Sequence, residues 1–178
     1  MRLNGAGLRA RIDFDSLVRY GRFRLAGDGD NIRTASLVQQ NYDRRARDNS
    51  FVRYDLLPDA NARHRNRPEV LVRQTNYGQV LDIYYVEFVV DPANPDDTRE
   101  PYLLVRVKEC QTGGFDAALP KNPLVTYRRI GTPDIIHIES INAVIGRISL
   151  DNNTWAIIDR SRNGARTQFV QDDGEDFD

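Results

Sequence analysis

Two runs of residues and the break between them decide the fold. Tyr77-Gly78-Gln79-Val80-Leu81-Asp82-Ile83-Tyr84-Tyr85-Val86-Glu87-Phe88-Val89-Val90 is dense in β-branched and aromatic residues, the side chains that fit a pleated, half-buried surface. Asp91-Pro92-Ala93-Asn94-Pro95-Asp96-Asp97 ends it, because proline offers no backbone donor and Asp and Asn favour turns. Tyr102-Leu103-Leu104-Val105-Arg106-Val107-Lys108-Glu109-Cys110 then returns. The pair predicts two long strands joined by a hairpin-like loop.

Toward the amino terminus, Leu17–Leu25 reads as a strand with Phe23 and Leu25 on one face and charged groups between them. Gly27-Asp28-Gly29-Asp30-Asn31 is turn chemistry. Ile32–Gln40 fits a strand or a short helix equally, and residues 41–50 are polar and irregular. Phe51–Leu57 alternates as a strand until Pro58 stops it, and residues 58–68 form an arginine-rich loop bounded by prolines. Val70-Leu71-Val72 leads into the central run. Toward the carboxy terminus, Gly113-Gly114 and the Pro120–Pro123 region break the chain. Short strands are expected at Val125–Tyr127, Ile135–Ile138, Val144–Ile148 and Thr154–Asp159, the last two joined by Asp151-Asn152-Asn153. Many short strands at close spacing predict an all-β barrel or sandwich.

The chain of 178 residues suits one domain, and no internal repeat or linker divides it. Its mean hydropathy of −0.59 and 29% charged residues leave no run of about 20 apolar residues able to span a bilayer. Met1-Arg2-Leu3-Asn4-Gly5 lacks an apolar signal region, so an intracellular, non-secreted protein without membrane contact is expected. One cysteine, Cys110, excludes an internal disulfide and a cysteine-based zinc cluster, and His64 and His137 add little toward a metal site.

The near-neutral net charge of −1 hides an asymmetry. Residues 1–75 carry 15 arginines against 9 acids, whereas residues 76–178 carry 10 basic side chains against 17 acids. Positive charge concentrates in Arg44-Arg45-Ala46-Arg47 and in Arg63-His64-Arg65-Asn66-Arg67. Planar guanidinium groups suit phosphate because they offer two parallel donors to an anionic oxygen pair. Arg44, Arg45, Arg47, Arg63, Arg65 and Arg67 are therefore the candidate nucleic-acid contacts, weighed against an ordinary solvated basic face. Five acids within Gln171–Asp178 form a tail too polar to bury anything.

Catalytic patterns are missing. Gly5-Ala6-Gly7 and Gly27-Asp28-Gly29 lack the preceding strand and following helix of a dinucleotide loop, and there is no nucleophile elbow. Cys110 and His137 are the one conceivable nucleophile and base, but each sits in an apolar run that suits a buried thiol and a structural histidine. No enzyme activity and no cofactor are expected. A different reading takes Tyr84, Tyr85 and Trp155 as a pocket for a peptide, with rings around a methylated ammonium. Tyr84 and Tyr85 are adjacent, so on a strand they point to opposite faces, and core packing competes for each ring.

Residues 70–160 resemble a bromo-adjacent homology (BAH) domain. The resemblance is carried by Tyr77–Ile83, by Tyr102–Val107 after a variable loop, by Asp134–Ile141, and most specifically by Val144-Ile145-Gly146-Arg147-Ile148. Over residues 17–160 the chain is more closely similar to the β-rich carboxy-terminal region of plant and fungal transposon proteins of the CACTA type. There the comparable segments are Tyr20–Leu25, Asp48–Val52, Tyr77-Gly78 and Leu103–Cys110. Glu109-Cys110-Gln111-Thr112 stands where BAH domains place a tryptophan-and-aromatic stretch, so an aromatic cage is not carried over. The resemblance implies a mainly β, partly open BAH-like barrel with short helical turns and long loops. The domain is expected at residues 17–170, between a flexible arm (1–16) and the acidic tail (171–178). The resemblance also implies a nuclear, transposon- or chromatin-linked context. The expected function is a non-catalytic module contacting nucleic acid or a nucleosome through its arginines. The alternative is a module that reads a peptide, possibly a modified histone tail, or mediates subunit assembly.

Overall fold

The central hairpin is the axis of the molecule. The computed structural model describes residues 9, 11–26, 29–40, 47–64, 66–91, 98–122, 124–151 and 153–161. Strand β5 (Gln74–Val89) pairs antiparallel with β6 (Arg99–Cys110) along nearly its whole length. Its other edge is shared by two strands. β4 (Phe51–Leu56) pairs with residues 74–79 and β1 (Ile12–Tyr20) with residues 83–88. β8 (Ile130–His137) adds to β6 and β9 (Ile141–Val144) to β4, giving a six-stranded sheet of order β8-β6-β5-β4-β9 with β1 beside β5.

Two smaller sheets complete the fold. β10 (Gly146–Asp151), β11 (Thr154–Ile158) and the short β7 (Thr126–Tyr127) form one, in the order β10-β11-β7. β2 (Arg22–Arg24) and β3 (Asn31–Arg33) form the other. The helix α1 (Ala35–Gln40) and a 3-10 turn at Ile138–Ser140 are short. The chain is mainly β, as its residue pattern implies. Among the described residues no strand joins β8 to β9, so the main sheet stays open rather than closing into a barrel.

Alternation along β4 and β5 explains why this sheet is buried on both sides. Val52 and Tyr54, with Val80, Ile83, Val105 and Val107, face one core, over which β2–β3 places Phe23 and Ile32. Phe51, Tyr77 and Cys110 face the opposite way, against Val125, Tyr127, Ile145 and Ile157 on the side of the small three-stranded sheet. Gly78 sits at a close approach between β5 and β6. A Cβ there would lie 2.7 Å from both the Lys108 carbonyl oxygen and Val107 Cγ2, and 3.1 Å from the Tyr54 ring.

Several boundaries differ from the sequence reading. β1 begins at Ile12, ahead of the domain start expected at residue 17, because Ile12 and Asp13 pair with Phe88 and Glu87. The strand expected over Leu17–Leu25 is broken at Gly21 and turns away as β2. The ambiguous Ile32–Gln40 divides into the end of β3 and α1. Val70-Leu71-Val72 stays exposed in a loop closed by Ala60 N–H to Val70 O (2.8 Å) and Val72 N–H to Pro58 O (3.1 Å). The acidic tail and residues 1–8 lie outside the described residues.

Candidate functional site

The β2–β3 hairpin carries three arginines that make no ion pair among the described residues. Arg22-Phe23-Arg24 and Asn31-Ile32-Arg33 each alternate charged or polar with apolar. The register sets Arg22 opposite Arg33, Phe23 opposite Ile32 and Arg24 opposite Asn31. Burying Phe23 and Ile32 in the core therefore turns all three arginines outward. Like charges directly opposite destabilise a strand pair, yet among the described residues no carboxylate makes an ion pair with Arg22, Arg24 or Arg33. Asp30, the described acid of the turn, gives its Oδ2 to the Val144 amide at 2.9 Å instead. Arg24 Nε donates to Gly29 O at 3.2 Å, which holds that side chain along the hairpin.

This surface continues toward one predicted cluster and away from the other. Arg33 N–H donates to Asn49 O at 3.3 Å, and exposed Arg47 stands two residues before Asn49. Arg44 and Arg45 lie outside the described residues, as does Arg65. Arg63 and Arg67 are exposed on the loop that follows β4. Asp59 shapes that loop, its Oδ1 accepting from Asn61 N–H (2.8 Å) and Val70 N–H (2.9 Å). Arg47 thus precedes β4 and Arg63 and Arg67 follow it, on either side of a strand of six residues and roughly 20 Å. Arg22, Arg24 and Arg33 were not among the sequence candidates. The signal for them was the Arg-Phe-Arg and Asn-Ile-Arg alternation on either side of a glycine-rich turn.

Other arginines are committed to structure. Arg53 is 2% exposed. Its Nη1 donates to Asp116 Oδ1 (2.9 Å) and Asp159 Oδ2 (2.6 Å), and its Nη2 to Asp116 Oδ2 and Thr75 Oγ1 (both 3.1 Å). Tyr77 Oη donates to Asp159 Oδ2 at 2.7 Å and accepts from Ala117 N–H at 2.9 Å. Burial alone would raise both carboxyls, but hydrogen bonds from Arg53, Tyr77 and backbone amides, and from the Ser161 side chain to Asp159, hold Asp116 and Asp159 below the usual aspartate range. Asp82, also 2% exposed, lies 2.5 Å from Arg19 Nη2 and 2.6 Å from Arg106 Nη2. The Arg106 contact is an ion pair without hydrogen-bond alignment at Oδ2.

The aromatic candidates are dispersed. Tyr84 pairs with Arg19 and Leu104, and Tyr85 with Val18 and Leu103 on the other face. Trp155 packs against the second core, and Arg147 Cζ lies 4.3 Å from its ring centroid and 3.7 Å from that of Phe51. The slot between those two rings is thus filled by the chain's own cation, with Arg147 also bonded to Tyr127 Oη and Asp48 Oδ2 at 3.2 Å each.

Cys110 and His137 do not meet. Cys110 pairs with Ile130 and His137 with Leu104, six positions apart along β6, or roughly 20 Å. Burial pushes the Cys110 thiol up to about 11, outweighing the hydrogen bond from Tyr127 and the charge of Arg147 that lower it. His137 Nδ1 accepts from Glu139 N–H at 3.3 Å and caps the 3-10 turn. Among the described residues no group of His, Cys, Asp and Glu is arranged to hold a metal ion, and no helix is long and apolar enough to cross a membrane. The chain matches no protein-family model, no curated protein and no solved structure.

Proposed function

We propose that this chain is a non-catalytic module that holds nucleic acid, free or on a nucleosome, through arginine–phosphate contacts. The observation that carries this reading is the outward face of β2–β3, where Arg22 and Arg33 stand opposite one another and Arg24 beside them without a carboxylate partner among the described residues. A polyanion relieves the repulsion that this arrangement builds in. Such contacts position a partner and read no base sequence. Arg47 extends the surface, and Arg44 and Arg45 precede it in the chain. Arg63, Arg65 and Arg67 offer a second, separate contact. The resemblance to BAH-like and CACTA-type transposon proteins supplies the proposed context, a nuclear protein linked to transposons or chromatin.

Salt dependence tests this directly. Three phosphate contacts on duplex DNA give a slope near −2.7 in log affinity against log salt, or about a 40-fold loss between 50 and 200 mM. Fluorescence anisotropy with a short labelled duplex reads that loss. Failure to bind at 50 mM contradicts the proposal.

The alternative of a protein-binding module is favoured by one observation. β1 exposes Phe14, Leu17, Val18 and Tyr20, apolar side chains that a soluble strand has little reason to display together. Light scattering on the purified chain distinguishes a self-associating surface from one that stays monomeric.

A further inference from the structure

The arginine hairpin borders an open depression of about 480 Å³ lined, among the described residues, by Gly21, Arg22, Arg33 and Leu37. Arg22 and Arg33 contribute the charged part of its lining and Leu37 the aliphatic part. Gly21 marks the pivot between β1 and β2, and a Cβ there would lie 3.3 Å from Leu37 Cδ2. The absence of a side chain at this point keeps the space open.

We propose that this depression is a subsite for a nucleoside 5′-phosphate monoester, either a free nucleotide or the 5′ end of a strand. The proposal rests on the nucleic-acid reading above and sharpens it. Charge selects the monoester. Two guanidinium groups present +2, a phosphate monoester carries about −1.5 to −2 at neutral pH with three terminal oxygens, and an internal diester carries only −1 with two. The depression has room for a nucleoside beyond the phosphate. The volume falls within the range of about 300–1,000 Å³ typical of small-ligand sites, and Leu37 gives the sugar or base an apolar surface.

The test uses the full chain with three probes. Adenosine 5′-monophosphate is followed by its ³¹P line width. Two 12-nucleotide single strands, labelled at the 3′ end and differing only in a 5′-phosphate or 5′-hydroxyl, are followed by anisotropy at one salt concentration. The 5′-phosphate is expected to tighten binding roughly tenfold, equivalent to about 1.4 kcal/mol. In Arg22→Gln and in Arg33→Gln that advantage disappears, and the nucleotide line stays narrow. Arg22 is exposed, so its variant keeps the fold, which circular dichroism checks. Equal affinity of the unmodified protein for the two strands overturns the subsite, and so does an advantage that persists in both variants. Salt-sensitive binding of both strands without a 5′-phosphate preference removes the subsite and leaves the nucleic-acid reading. Binding of the mononucleotide without either strand leaves the subsite, and the duplex measurement above then decides the nucleic-acid reading. No binding of any probe overturns the subsite.

Discussion

Arg53 and Asp159 stand 106 residues apart in the chain, and Nη1 of one meets Oδ2 of the other at 2.6 Å. The contact ties the strand beside the central hairpin to the last described segment after β11. Asp116, in the loop after β6, closes the arrangement by taking both Nη groups of the same guanidinium. One cation thus holds together three parts of the chain that no local pattern links.

Arg53→Met leaves two carboxylates buried without their cation. Losing one partner of a buried ion pair costs about 3–5 kcal/mol. Urea denaturation of the variant is expected to show a midpoint lowered accordingly, with the slope unchanged. A midpoint within experimental error of the unmodified chain contradicts the role given to Arg53.

Acid sensitivity follows from the same groups. Asp55, Asp116 and Asp159 all have folded pKa values below the usual aspartate value. A depressed carboxylate contributes stability that is complete well above its unfolded value of about 3.9 and is lost as pH falls through its folded value. Stability is therefore expected to hold above about pH 5 and to decline progressively below pH 4. In Arg53→Met, where Asp116 and Asp159 lose a source of their depression, the decline is shallower. Thermal unfolding across pH 3–6 measures both curves.

Gly78→Ala is expected to destabilise by more than the ordinary few tenths of a kcal/mol of a strand substitution. The added Cβ meets a backbone oxygen, Lys108 O, at 2.7 Å, and the β5–β6 pairing there cannot yield without breaking register. Overpacking of this kind costs about 1–3 kcal/mol. A variant as stable as the unmodified chain shows that the hairpin opens more readily than the contact implies.

Trp155 is the one tryptophan, so its emission reports the Arg147 stack without interference. Arg147→Ala removes a cation held between two rings, an interaction worth about 0.5–2 kcal/mol. The variant is expected to unfold earlier and to emit further to the red as water reaches the indole. Unchanged emission places Trp155 outside the stack.

The central hairpin was legible because both of its strands are long, β-rich and separated by a loop with two prolines. Tyr77-Gly78 was visible as a motif, but its reason was not. Only the place of Gly78 opposite Glu109, against the Lys108 carbonyl, shows why no side chain fits. Arg53 looked like an ordinary strand arginine, because its partners Asp116 and Asp159 sit in loops far along the chain. The arginine face was half legible. Alternation in Arg22–Arg24 shows that two arginines share a side, whereas the placement of Arg33 opposite Arg22 depends on a turn whose pairing the residues do not announce. The candidate clusters at 44–47 and 63–67 were read from local charge density, which carries no information about which end of a strand each will occupy. That Tyr84, Tyr85 and Trp155 are dispersed was hidden for a related reason. Ring type alone did not reveal that Arg147 would occupy the space beside Trp155.

The measurement that tests the central claim most directly compares salt slopes. Duplex DNA binding is measured by anisotropy at several salt concentrations for the unmodified chain and for Arg22→Gln/Arg24→Gln/Arg33→Gln. These substitutions lie on the outward face of β2–β3 and leave Phe23 and Ile32 in the core. The account predicts a slope shallower by about 2–3 in the triple variant, with weaker binding at every salt concentration. A triple variant that binds with the same affinity and the same slope contradicts it.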